Sequence, residues 1–328
     1  MTIENQIVEY LKVHQEASVN ELQGQIGASR QMLHRILSRM LQEGYLQKLG
    51  RAPTVFYRLN RLSATGKEDE LVVLKEDELA FLKEHFLQVS ERGEKLEGAE
   101  AMKAWCRRQK LPLEKTVHEF INTRKKYLNY FLANGLIDGT DKLLGTKGFD
   151  AIAVDRMFYC DFYAIERFGK TRLGTLLHYA KQGQNMHLMQ EIITGTKERV
   201  NALIEKESID AVGYIPPTIK RHLQLMTVLQ KGFNLSLPHL NLVKVTGTIP
   251  VPQKALNKIE DRIDNARASI IVKETRQFKN ILLIDDAVGS GATINETAAK
   301  LKQKGIAQKV IGLSIVGSFK GFDVIQDV

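Results

Sequence analysis

The chain has 328 residues, 43% of them hydrophobic, which suffices for the cores of two or three domains. Lys and Arg outnumber Asp and Glu by 47 to 38, a net charge of +9 that suits polyanionic partners or phosphate-bearing ligands. The two cysteines, Cys106 and Cys160, lack metal-ligand spacing and exclude a disulfide framework, and no apolar run reaches membrane length, so a cytoplasmic chain with no membrane partner is expected. Ile3, Ile7 and Leu11 recur at helical spacing, with Val8 widening the stripe, and predict a first helix over 3–14. Ser18 followed by Glu21 reads as a capping box that opens a second helix. A turn at Gly27-Ala28 leads to Ser29, the cap of a third helix with Met32, Leu33, Ile36, Leu37 and Met40 inward and its end at Gly44. Strands over 46–49 and 54–59 are joined by Gly50-Arg51-Ala52-Pro53, a hairpin with a basic tip.

Helix, helix, turn, helix and hairpin is the order of a winged helix-turn-helix, and positions 1–62 resemble that family. The resemblance implies that DNA is a partner, with the third helix in the major groove and the wing on phosphate or minor groove. Ser29, Arg30, Gln31, His34, Arg35 and Arg39 lie on the candidate recognition helix, and Arg51 is the candidate wing contact. Arginine and glutamine can read base edges, while Ser29 and other arginines can hold phosphates. The same pattern also serves winged helices that bind proteins or dimerise.

Polar residues over 63–70 read as a linker, and a helical middle segment is expected over 63–150. Helical periodicity runs over 76–89, 98–108 and 113–132, the last carrying Arg124-Lys125-Lys126 among Tyr127, Tyr130 and Phe131. Basic and aromatic residues together can bind nucleic acid, but at this spacing the aromatics are expected in the core and the charges on a solvated face. Residues 134–139 read as a helix stop and a turn.

Within 151–328, a helix over 187–206 and a strand over 211–215 precede Pro216-Pro217-Thr218-Ile219-Lys220-Arg221. Lys231-Gly232-Phe233-Asn234, a strand near 242–245 and Val251-Pro252-Gln253 follow. The aliphatic run Ile281-Leu282-Leu283-Ile284 suits a central parallel strand covered on both faces. Directly after it come Asp285, Asp286 and the loop Ala287-Val288-Gly289-Ser290-Gly291-Ala292-Thr293, then a helix over 295–304 stopped by Gly305 and a strand over 310–316. Glycines in such a loop let the backbone approach an anion, which free N–H groups and a helix dipole attract. Ser290 and Thr293 add hydroxyls, and the two carboxylates can accept hydrogen bonds from the vicinal hydroxyls of a ribose whose phosphate lies in the loop. The loop lacks both a Walker lysine and the third glycine of the dinucleotide fingerprint.

This arrangement resembles the motif with which type I phosphoribosyltransferases bind 5-phosphoribosyl 1-diphosphate (PRPP). The proline-containing turn, the Lys231 to Asn234 element and the series Pro252-Gln253, Leu256, Arg262, Asn265 resemble the ComF family of phosphoribosyltransferase-like proteins. The fold class implied is α/β: an N-terminal winged helix-turn-helix, the helical middle segment, and a C-terminal type I phosphoribosyltransferase fold with a mainly parallel sheet. Asp285 and Asp286 would be the catalytic pair that holds the ribose, and Gly289, Ser290, Gly291, Ala292 and Thr293 the phosphate site. Lys220 and Arg221 would stabilise the pyrophosphate together with magnesium, and residues 246–267, with Gln253 and Arg262, would form a flap that excludes water. Lys231 stands where the family has Arg, Leu235 where Gln is common, and Gly289 where many members have a hydroxyl residue. The family's four-cysteine zinc element is missing, and the winged helix occupies its place.

Two functions remain open on this sequence. A PRPP- or nucleotide-responsive regulator that binds DNA as a homodimer resembles the winged-helix purine repressors. An active transferase or nucleotide-directed effector resembles phage-defence proteins of retrons, whose reverse transcriptase and its nucleic acid would then be partners. Few residues follow the strand over 310–316 to form a hood that reads a base, which favours sensing.

Overall fold

Side-chain caps start the three N-terminal helices: Thr2 accepts from Asn5 N–H, Ser18 and Glu21 cap reciprocally, and Ser29 accepts from Met32 N–H. The structure, a computed structural model, describes residues 2–51, 54–59, 74–219, 221–245, 256 and 258–319. The helices are α1 (Ile3–His14), α2 (Val19–Ile26) and α3 (Arg30–Gln42). With them go β1 (Glu16–Ser18), β2 (Leu46–Arg51) and β3 (Thr54–Leu59), an antiparallel sheet in the order β1-β3-β2. Leu33, Ile36, Leu37 and Met40 of α3 pack on Ile7, Leu11, Leu22 and Tyr57. Met32, expected inward, is 39% exposed, because the buried stripe runs through the residue after it. The β2 strand continues past Leu49, with Gly50 and Arg51 pairing with Val55 and Thr54.

Residues Met1–Val73 make one compact unit and Leu74–Val328 a second. The second opens with α4 (Glu76–His85), the hairpin of β4 (Leu87–Val89) and β5 (Lys95–Glu97), α5 (Gly98–Gln109) and α6 (Leu113–Leu128). The helix expected over 76–89 thus stops at His85: Phe86 is extended, its carbonyl accepts from Gly98 N–H, and Leu87–Val89 pairs with Lys95–Glu97. Next come β6 (Ile137–Asp138), α7 (Thr140–Leu144), β7 (Arg156–Phe162), α8 (Arg172–Gln182), α9 (Met186–Lys206), β8 (Ala211–Tyr214) and α10 (Leu225–Phe233). The chain continues through β9 (Leu242–Lys244), α11 (Ile259–Ser269), β10 (Ile270–Val272), β11 (Phe278–Val288), α12 (Ala292–Gln303) and β12 (Ala307–Gly317).

Five strands form one mixed sheet in the order β6-β7-β12-β11-β8, in which β7, β12, β11 and β8 are parallel and β6 adds an antiparallel edge. The turn expected at 134–139 therefore contains a short strand, Ile137 and Asp138 pairing with Tyr159 and Phe158. On one face Leu282, Ile284, Ile311, Leu313 and Phe158 pack against α8, α9 and α10. On the other α12 lies so close that a Cβ on Gly312 would sit 3.1 Å from Ile294 and 2.5 Å from the Met157 sulfur. Coverage on both faces explains the unbroken aliphatic run of β11. Among the described residues no helix is long and apolar enough to cross a membrane.

Arg124 is buried rather than part of a solvated basic face: it makes a bidentate pair with Asp161 of β7, at 2.9 and 2.8 Å, and ties α6 to the sheet. Lys125 and Lys126 stay exposed, and Tyr127 packs edge-on against Phe162. Arg124→Met leaves Asp161 buried without its counter-charge, so urea unfolding should show a loss of ~3–5 kcal/mol.

Candidate functional site

Adjacent parallel strands of unequal reach open a crevice at the carboxyl edge of the sheet. Tyr214, the last residue of β8, is in register with Ile284, and the Ile215 N–H donates to the Ile284 carbonyl at 2.9 Å. Pro216 and Pro217 then supply no N–H to continue the ladder, while β11 runs on through Asp285 and Asp286 to Val288. The result is a cleft of about 220 Å³ between the proline turn and the acidic pair. Such a crevice beyond the strand ends is where open α/β sheets place ligands.

Gly289, Ser290 and Gly291 connect β11 to α12, and all of Gly289 to Ile294 line the cleft. Gly291 caps the helix with φ +85°, and a Cβ there would lie 2.5 Å from Leu143 Cδ1, so this position requires glycine. Because the cap lies at Gly291, Ala292 and Thr293 form the first turn of α12 and the helix starts ahead of the expected 295. The Ser290 Oγ accepts from Ala292 N–H at 3.3 Å, and the helix dipole makes this end of the cleft favourable for an anion.

The acidic pair meets several cations. Lys181, from the last turn of α8, forms an ion pair with Asp286. Burial disfavours the Lys181 charge, but Asp286, with Asp285 behind it, outweighs that and raises its pKa. Lys244 of β9 also lines the cleft, where burial lowers its pKa against the pull of Asp285 and Asp286. Burial pushes the Asp285 carboxyl up to about 7, and the charge of Asp286 adds to that shift.

Asp285, Asp286, Gly289, Ser290, Gly291, Ala292, Thr293, Arg221 and Arg262 all line this one cleft. The Arg221 guanidinium is engaged with the end of α8, donating to the Lys181 carbonyl and to Gln182 Oε1. Arg262 is buried on α11, whose Ile259, Ile263 and Ala266 pack against Ala292, and its Nε donates to the Leu256 carbonyl at 2.7 Å. Lys220 and Gln253 lie outside the described residues, as does the side chain of Arg51. In the N-terminal unit Ser29, Arg30, Gln31, His34, Arg35 and Arg39 are all exposed on or at the start of α3, and Arg39 pairs with Glu4 of α1.

Lys181, Lys244 and Lys142 were not among the residues expected at the site. Lys181 lies 105 residues from Asp286 in the chain, and nothing in its local pattern sets it apart from a solvated helix lysine. Lys142 of α7 donates to the Gly289 carbonyl and, at 2.8 Å, to Ser318 Oγ.

No family model matches the chain, and no curated protein matches it. Among solved structures, a hypoxanthine phosphoribosyltransferase from Staphylococcus aureus is similar at 15% identity and a TM-score of 0.26, over 42% of this chain and 70% of that one. A likeness of that size does not bear on function.

A carboxyl whose pKa in the fold exceeds its ordinary value of 3.8 favours the protonated form, so its burial costs stability progressively as pH rises toward about 7 and fully above that. Asp285→Asn removes this cost, and its melting temperature should gain on the parent's between about pH 4 and about pH 7. Parallel melting curves across that window would contradict the assignment.

Proposed function

We propose that the cleft binds a ribose 5-phosphate, foremost that of PRPP, that the N-terminal unit is a winged helix-turn-helix which binds DNA, and that the chain is a ligand-responsive regulator. The observation that carries this reading is the juxtaposition in one cleft of the Asp285-Asp286 pair with the loop from Gly289 into α12. The loop supplies N–H donors and a helix N-terminus for a phosphate, and the acids supply acceptors for a vicinal diol. Lys244 and Arg221 add positive charge for a second anionic group on the sugar. Among the described residues no three His, Cys, Asp or Glu converge on a metal site, and Asp286 already faces Lys181. Magnesium carried in on phosphate oxygens would need only one or two carboxylates, which Asp285 and Asp286 would supply. The ion would neutralise the diphosphate.

On the DNA side, the exposed Arg30, Gln31, His34, Arg35 and Arg39 supply base-reading and phosphate-holding groups on one helix. A homodimer would present two such helices to two half-sites.

A second reading, an active phosphoribosyltransferase or a nucleotide-directed effector of a retron-type defence system, draws support from the opposite wall of the cleft. Pro216, Pro217 and Leu223 are apolar, at least partly exposed and line the cleft, where a base could lie, and a sensor of PRPP alone has no use for a base site. Pyrophosphate release from PRPP across a panel of bases separates the two.

In a thermal-shift titration with PRPP and magnesium, the parent should gain about 2.7 kcal/mol at a hundredfold excess over Kd. The double substitution Asp285→Asn with Asp286→Asn should abolish that gain, and protection that survives it would remove the ribose assignment. Arg35→Ala with Arg39→Ala should weaken DNA binding and reduce the slope of log K against log salt by about 0.9 for each arginine that holds a phosphate. Unchanged affinity in that variant would refute a DNA-binding α3.

A further inference from the structure

Lys142 lies behind the phosphate loop rather than in the cleft. Its ammonium donates to the Gly289 carbonyl, and the hydroxyl of Ser318 donates to the same oxygen at 3.4 Å. The Ser318 N–H donates in turn to the Val288 carbonyl at 3.0 Å. In a planar trans peptide the carbonyl and the N–H of the next residue point in opposite directions. Holding the Val288 and Gly289 carbonyls on the Lys142 side therefore turns the N–H groups of Gly289 and Ser290 the other way. The same short helix also braces the far end of the loop, since Leu143 fills the space that a side chain on Gly291 would need.

This placement is unfavourable for the lysine. Burial pushes its ammonium down to about 8, and among the described residues no carboxylate pairs with it. A methionine of similar volume would fill the space without that penalty, so space-filling does not account for an ammonium here. An anion on the opposite side of the Gly289–Ser290 peptide would complete the charge.

We propose that Lys142 is a positioning residue of the phosphate loop: it fixes the Gly289 carbonyl away from the cleft, directs the adjoining N–H groups at the phosphate, and supplies counter-charge from behind. The proposal rests on the reading of residues 289–293 as a phosphate site and deepens it.

Calorimetry on the full chain with ribose 5-phosphate, with ribose as the control lacking the phosphate, tests it. Lys142→Met should lower affinity for ribose 5-phosphate by about tenfold or more while its melting temperature holds or rises, and Lys142→Arg should recover part of the loss. Equal affinity in the parent and Lys142→Met overturns the positioning role and leaves the phosphate site standing. Absence of binding in the parent overturns the phosphate site, and the role of Lys142 with it. Weakening that tracks a fall in melting temperature and is not recovered by arginine marks a structural lysine and also overturns the proposal. Should Lys142→Met fail to fold, Ser318→Ala removes a second donor to the same carbonyl: severalfold weaker binding upholds the arrangement, and parental affinity overturns it.

Discussion

The C-terminal unit depends on a mismatch in length between two hydrogen-bonded strands. β8 ends at Tyr214 opposite Ile284, whereas β11 continues to Val288. Up to that point residues 211–213 and 281–284 are buried, and the ladder pairs the two strands. Beyond it β11 keeps β12 as a neighbour, and Asp285, Asp286 and the loop to α12 line a cleft where β8 has ended. The cleft opens at that termination, where two consecutive prolines withhold the N–H groups that would prolong the sheet.

Electrostatics in the cleft is a balance among side chains from distant elements. Two adjacent carboxylates in a poorly solvated place repel, and the fold answers with Lys181 from α8 and Lys244 from β9. Arg221 lines the same cleft while its guanidinium holds the end of α8, linking the proline turn to the helix that delivers Lys181. An entering polyanion would therefore meet cations already held near acids, and exchange of partners would offset part of its desolvation. Lys142 belongs to the same balance from the other side of the loop.

The segment from α4 to α7 serves this cleft indirectly. The Arg124–Asp161 pair fixes α6 on β7, and the chain then returns through β6 at the sheet edge into α7, whose Lys142 and Leu143 contact the loop between β11 and α12. A region that reads as helices in the sequence is thus part of the support for the cleft of the second unit.

The sequence alone determined what contiguous residues decide. Caps at Ser18 and Ser29, the stripe through Leu33, Ile36, Leu37 and Met40, and the order of buried strand, acids, loop and helix from Ile281 are local, because each depends on neighbours within a turn or two. The tertiary structure alone decided that Glu76–His85 gives way to a strand after Phe86, that Arg124 is buried, and that Lys181, Lys244 and Lys142 converge on the loop and the acids. Those outcomes depend on strand pairing and helix packing across crossovers of many residues, where a lysine bound for a cleft and a lysine bound for solvent have the same local pattern.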